Sequence, residues 1–453
     1  MNRLKQLGID VSVGTLNFLA NTGIMLPYIL ILFQYQKTQS ATYLITLVAV
    51  YISRAASIFY TKRLNLRSST YLILTLVFGA LGSLPFALTT SLGWLIAGSV
   101  LWGYSAATIW PYFLTVKLHL THTTHFKMKS VYWLVFLLMG LLLGLDFYLK
   151  LSFSLSFALL AVLNLVALPG GLLLNEFTHD FYRGQPNQRH GLKQFWRWWL
   201  SVVFFAAIAL LTTLRKASLN ISYWVTLGII LVALVIALIE LYADRTKLVN
   251  FKLRLINRGF MLSYVLLFSS FMAYYYWGKL GMYLVFVVYL IGFEGGAGIL
   301  GALAHHDTDQ KRRLGQGLLI AGHLLVLIPW KWPYLLGLLL IALYIGDDNP
   351  TVNRELYESE VVDDDSAIIN KYRFSTAGGL LCQLVLFGLL VVASATHGLS
   401  LLAFFKPANA SHWFLYTWAV NWPLVLCSLG ITLANMVNHR KQAAMEKDDT
   451  LTD

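Results

Sequence analysis

Residues 335–350 read LLGLLLIALYIGDDNP. Twelve apolar or small residues run straight into two adjacent aspartates, Asp347 and Asp348, then Asn349 and Pro350. A carboxylate inside an apolar run is costly unless something solvates or pairs it. Apolar blocks of this kind fill the chain. Of its 453 residues 58% are hydrophobic, 14% aromatic and only 12% charged, with a mean hydropathy of +0.65. Soluble domains carry roughly 25% charged residues, and blocks about 20 residues long match ~30 Å of hydrocarbon. The composition predicts an all-α, polytopic membrane protein. MNRLKQLGID leads directly into the first block without a small-residue cleavage site, so no cleavable signal peptide is expected.

Fourteen spans are readable, near 9–33, 41–59, 71–88, 93–115, 130–149, 154–174, 195–214, 220–243, 259–276, 281–303, 314–329, 332–353, 374–397 and 413–437. With the N-terminus inside, seven of the 34 Lys and Arg fall on outer loops, Arg54 lies within a span, and 26 sit on or beside the cytoplasmic side. This is the positive-inside pattern. It explains the net charge of +13 without a nucleic-acid partner, and it predicts cytoplasmic termini in a multi-pass protein of the cell (plasma) membrane.

Loop lengths group the spans as six, two and six. Residues 1–174 form a first six-helix bundle, and 175–258 hold cytoplasmic linkers and two inserted helices. A second six-helix bundle occupies 259–437, and 438–453 form a charged cytoplasmic tail, expected to be unstructured. The inserted pair, 195–243, has few polar groups and is expected outside the core. DRTKLVNFKLRLINR (244–258) reads as a linker or an amphipathic helix lying on anionic lipid. The two sixes resemble one another. LWGYSAATIWPYF (101–113) carries Pro111 near the inner end of the fourth span. IALYIGDDNPTVN (341–353) carries Pro350 in the same place. Each precedes a charged loop and a glycine-bearing span, and parallel six-helix repeats are a transporter signature.

On these residues the chain resembles the major facilitator superfamily in its fourteen-helix form, with degenerate motifs. MLPYI (25–29) is similar to the end of the family's first-helix motif. GALAHHDTDQKRR (301–313) is similar to its second-half loop motif through Gly301, Leu303, Ala304, Arg312 and Arg313, with His305 at the aspartate position. The first-half copy, FYTKRLNLRSS (59–69), keeps Arg63 and Arg67 and puts Lys62 at that position; the fifth-span motif is reduced to Gly140 and Gly144. The resemblance implies two bundles about a central cavity lined by the first and fourth spans of each half. Asp347 and Asp348 then lie on a cavity helix, roughly 22 Å along it at 1.5 Å per residue. Neighbouring helical residues point ~100° apart, so both cannot face the cavity squarely.

The two aspartates read either as a proton, cation or substrate site or as the solvated end of a helix. Arg54 and Glu294, in the second span of each half, are approximate symmetry mates, and each is expected to have a partner. Asn17 and Asn21 share one helix face, as a cavity stripe or as an interhelical pair. Tyr104 and Trp110 read as cavity-lining or as packing. Asp146 near the end of the fifth span reads as solvated. His119, His122 and His125 could share a face, with solvation favoured over metal binding. The acidic run ELYESEVVDDD (355–365) reads mainly as a solvated face. No metal site, cofactor fingerprint or catalytic set is present, so no enzyme is expected. The expected function is a secondary active transporter that moves a small molecule by alternating access, among membrane lipids, with coupling to a proton or other cation left open. The alternatives are a non-transporting scaffold or sensor and a flippase of lipid-linked substrates.

Overall fold

The computed structural model describes residues 3–21, 26–38, 40–61, 66–124, 152–178, 228, 231–232, 235, 249–305, 307–358, 364–398 and 410–452. The fifth span of the first half, with Asp146, Gly140 and Gly144, lies outside these residues, as do His125, Lys62 and Arg63 and nearly all of the inserted pair. Among the described residues there is no strand, and eight helical stretches are long and apolar enough to cross a membrane. The chain divides into two compact units, one of Met1–Thr213 with Asp363–Asn370, the other of Leu214–Val362 with Lys371–Asp453.

The first unit contains α1 (Arg3–Asn21), α2 (Leu26–Thr38), α3 (Ala41–Tyr60), α4 (Ser68–Leu88), α5 (Leu92–Thr124) and α6 (Phe153–Phe177). Here α4 packs on both α5 and α6, α3 packs on α5, and α1 packs on α6. Polar side chains join these apolar helices where backbones come close. The helix α6 contains Pro169, and Gly170 N–H donates to Ser12 Oγ at 2.6 Å while that hydroxyl donates to Val166 O at 2.6 Å. Ser12 of α1 thus stands between the donor and acceptor of one helical turn and satisfies both, which an apolar bundle requires. Trp102 Nε1 donates to Ser83 Oγ at 2.7 Å, and the Thr75 and Thr108 hydroxyls meet at 2.7 Å, both between α4 and α5.

In the second unit lie α7 (Val249–Ser263), a π-helical turn (Tyr264–Phe268), α8 (Ser269–Trp277), α9 (Lys279–Leu303), α10 (Thr308–Leu327), α11 (Lys331–Glu358), α12 (Asp364–His397, from Lys371 onward), α13 (Ala410–Tyr416), a second π turn (Thr417–Asn421) and α14 (Trp422–Thr452). Contacts of α11 are with α9 and α10, and α7 packs on α14. The two π turns meet: Tyr264 OH donates to Asn421 Oδ1 at 2.9 Å, and Asn421 Nδ2 donates to Val326 O at 3.2 Å. Side chains inserted between helices are a physical source of such widened turns.

Packing makes the internal repeat visible. A Cβ on Gly98 would meet Gly82 O at 2.8 Å, and one on Gly337 would meet Gly322 O at 2.7 Å. Both crossings join helices that follow one another in the chain, α4 with α5 and α10 with α11. Thirteen residues separate Gly98 from Pro111 and Gly337 from Pro350, so α5 and α11 can be overlaid residue by residue. Leu155, Val162, Leu165 and Leu172 of α6 and Phe286, Val287, Leu290 and Ile291 of α9 are exposed, the surface expected of helices that face lipid rather than water.

Three local expectations change. Pro350 does not end its helix; α11 runs to Glu358, so the aspartates are mid-helix and not a terminal, solvated pair. Segment 249–258 is not a surface linker but the first turns of α7, continuous with the span that follows. The tail is helical to Thr452, because HRKQAAMEKDDT has no Gly or Pro and is rich in helix-forming Ala, Lys, Gln, Glu and Met.

Candidate functional site

The quoted stretch forms the centre of a buried ionic site in the second unit. Asp348 is 4% exposed. Arg254 of α7 donates to its Oδ1 through Nε at 2.8 Å and lies 2.7 Å from it through Nη2, while Nη1 reaches Glu355 Oε2 at 2.6 Å. Asp348 and Glu355 are seven residues apart, two turns along one face of α11, and a single guanidinium spans them. Asp347 points elsewhere, as the ~100° step per residue demands; its Oδ1 lies 2.6 Å from Lys311 Nζ of α10. Arg312 completes the rim at 3.8 Å from Glu355 Oε1. The paired aspartates therefore tie α11 to two different neighbours. The repeat explains their number: in the overlay Asp347 falls on Thr108, whose hydroxyl bonds across to Thr75 of α4. The second half places an ion pair where the first has a neutral pair.

Two further cations stand beside this network. Arg258, one turn beyond Arg254 on α7, is 7% exposed; its Nη1 has no hydrogen-bond partner and it makes no ion pair among the described residues. Lys371 of α12 is 1% exposed, and its Nζ donates to Asn349 Oδ1 at 2.6 Å, to Asn353 Oδ1 and, at 3.4 Å, to Asn349 O. The two helices cross where a Cβ on Gly259 would run into the Ser375 backbone and one on Gly378 into that of Ile256. Sequence reading missed Arg254, Arg258 and Lys371. Their signal was the four-residue spacing of the arginines and the apolar neighbours of Lys371 in AIINKYRF.

The other candidates are dispersed. Asn21 Nδ2 donates to Asn17 O at 2.8 Å and to Asn17 Oδ1 at 2.7 Å, so these two bind each other on α1. Arg54 lies over the Tyr28 ring, 5.6 Å from its centroid. Glu294 is exposed on α9 and has no ion-pair partner among the described residues. Packing shows why the two behave differently. Gly103 of α5 abuts Ser53 of α3, whereas Gly292 of α9 abuts Ala342, the residue that overlays Gly103. Ser53 thus matches Gly292, and Arg54 and Glu294 fall one residue out of register. Tyr104 packs edge-on against Phe78 at 5.0 Å, with its OH buried and unpaired among the described residues. Trp110 lies 6.3 Å from Phe113.

In the first unit Asp365 is more than a solvated acid. Its carboxylate accepts the Ser68 N–H at 3.1 Å, its carbonyl accepts the Ser68 hydroxyl at 3.0 Å, and His119 Nε2 lies 3.1 Å from Oδ1. It caps the open N–H end of α4, where a carboxylate also complements the helix dipole.

No family model matches the sequence, and no curated protein matches it. Solved structures do. With a peptide transporter POT crystallised with sulfate, 96% of this chain aligns over 94% of that one at 12% identity, with a TM-score of 0.52. With a POT family transporter in complex with a thioalcohol-conjugated peptide, 96% aligns over 96% at 14% identity and a TM-score of 0.55. Such transporters have the major facilitator fold.

So does this chain.

The facilitator fold here supports a different distribution of charge from the one its loop motifs suggest. Lys311 and Arg312, near the start of α10, act on acids of α11, and His305, at the motif's aspartate position, adopts a left-handed backbone conformation with φ 46° at the end of α9.

Proposed function

We propose that this facilitator is a secondary transporter, which carries a small solute across the cell membrane by alternating access. The observation that carries this reading is the alignment with POT transporters over 96% of the chain. No nucleotide-binding fingerprint occurs in the sequence, so a gradient drives the movement or it is passive. In this reading both termini face the cytoplasm, fourteen helices cross the membrane, and 195–243 stand outside the moving core.

The ionic site then has two parts. Arg254 with Asp348 and Glu355 clamps α7 to α11 and opens or closes with the conformational cycle. Asp347, held by Lys311 alone among the described residues, is the acid that exchanges a proton or cation. Glu294, Arg54, Asn17, Asn21, Tyr104 and Trp110 supply polar and aromatic contacts along the path. Short peptides are the first solutes to test, given what the structural neighbours bind. Cells expressing the full chain should accumulate labelled di- and tripeptides, or another solute from a mixed pool, above cells without it, and a protonophore should reduce a proton-driven excess. No excess for any solute in the pool would overturn the reading in favour of a scaffold.

A further inference from the structure

Charge in the second unit's ionic site does not balance. Arg254, Arg258 and Lys371 face Asp348 and Glu355, and Arg254 already engages both acids. Arg258 and Lys371 make no ion pair among the described residues, although one is 7% and the other 1% exposed; Asp348 acts on Lys371 only at longer range, and one of its carboxylate oxygens is itself buried without a hydrogen-bond partner. Burying a cation costs several kcal/mol unless an anion or a full set of hydrogen bonds compensates it. Lys371 has three oxygen acceptors, all neutral; Arg258 Nη1 has none. The residues that flank the pair keep it in place: the crossing of α7 and α12 at Gly259 and Ser375 admits no side chain between the backbones, with Arg258 adjacent to it and Lys371 one turn before it.

We infer that Arg258 and Lys371 form an oxyanion-binding subsite that takes the carboxylate or phosphate group of the transported solute. A guanidinium with a free edge presents paired N–H donors to such a group, and an ammonium adds a point charge. The Lys371 contact to Asn349 O, long at 3.4 Å, is the one an incoming oxygen replaces, while the two side-chain amides keep the ammonium aimed. Both cations are buried among helices, not on the outer faces where Leu290 and Leu165 are exposed, so a soluble anion and not a lipid headgroup is the occupant. The assignment rests on the transport reading above for its cargo but not for its chemistry.

The test uses the full chain in neutral detergent and follows thermal unfolding with sodium phosphate or sodium succinate against sodium chloride at equal ionic strength. One of the two oxyanions should raise the midpoint saturably beyond chloride. Arg258→Gln and Lys371→Gln should weaken that response about tenfold or more, a loss of about 1.4 kcal/mol, whereas Arg313→Gln, exposed on α10 and outside the ionic site, should keep it. If a Gln variant does not fold, Arg258→Lys, which keeps the charge but loses the fork, should fold and shift the half-saturation concentration upward. An equal response in all variants, or none in the wild type, overturns the subsite. So does a response confined to phosphatidylglycerol nanodiscs and absent with the soluble anions. Oxyanion binding lost in the variants without solute uptake by the wild type would leave the subsite standing and sink the transport reading. Uptake of neutral solutes alone, with no oxyanion effect, would do the reverse.

Discussion

Asp348 shows how a costly residue is kept in an apolar helix. Its carboxylate is buried, and the guanidinium of Arg254 is its compensating charge. Removing one member of such a pair leaves the other uncompensated, at a cost of about 3–5 kcal/mol. Arg254→Ala should therefore lower stability by that order in chemical unfolding of the detergent-solubilised chain, and adding Asp348→Asn should restore part of it; a double variant no better than the single one would refute the pairing. Asp347 should behave differently. Asp347→Asn should abolish gradient-driven accumulation while solute exchange stays measurable, and Asp348→Asn should act mainly on stability. Full accumulation by the double variant would dismiss any coupling role for the two acids. The sequence made these acids legible because charge is rare in such a run. It hid their partners. Arg254 and Arg258 look like a lipid-facing stripe until α11 is placed against them, and Lys371 sits in a stretch that charge alone assigns to a loop.

At the scale of elements, block length made most of the spans readable, since a run of about 20 apolar residues has few alternatives to a membrane helix. What remained unread depends on tertiary contact. The π turns arise where Tyr264 and Asn421 bond across helices, and α11 runs on to Glu358 although Pro350 withholds the N–H that the Gly346 carbonyl would accept. The repeat was visible as two prolines and became a register only through Gly98 and Gly337. That register gives a paired test. Gly337→Val places bulk where Gly322 O lies 2.7 Å from the added Cβ, and should yield aggregated protein on size-exclusion chromatography. Gly317→Ala adds a Cβ with nothing within 4 Å and should elute as the wild type does. Similar profiles for the two would contradict the crossing of α10 and α11.

Across the whole molecule, apolar helices in the facilitator fold carry an ionic site built into the second unit. The topology predicts that cysteines introduced at 183, 246 and 360 resist impermeant thiol reagents in intact cells and react once the membrane is opened; labelling of 246 from outside would break the fourteen-span scheme. The central claim is transport, and its most direct measurement is solute uptake by the purified full chain in sealed proteoliposomes. With an imposed proton or cation gradient, the account predicts saturable accumulation of an anionic solute above the external concentration, or equilibration if movement is passive, and loss of uptake in Lys371→Gln. Vesicles holding folded protein that take up no more solute than empty ones, across peptides, carboxylates and phosphates, would contradict it.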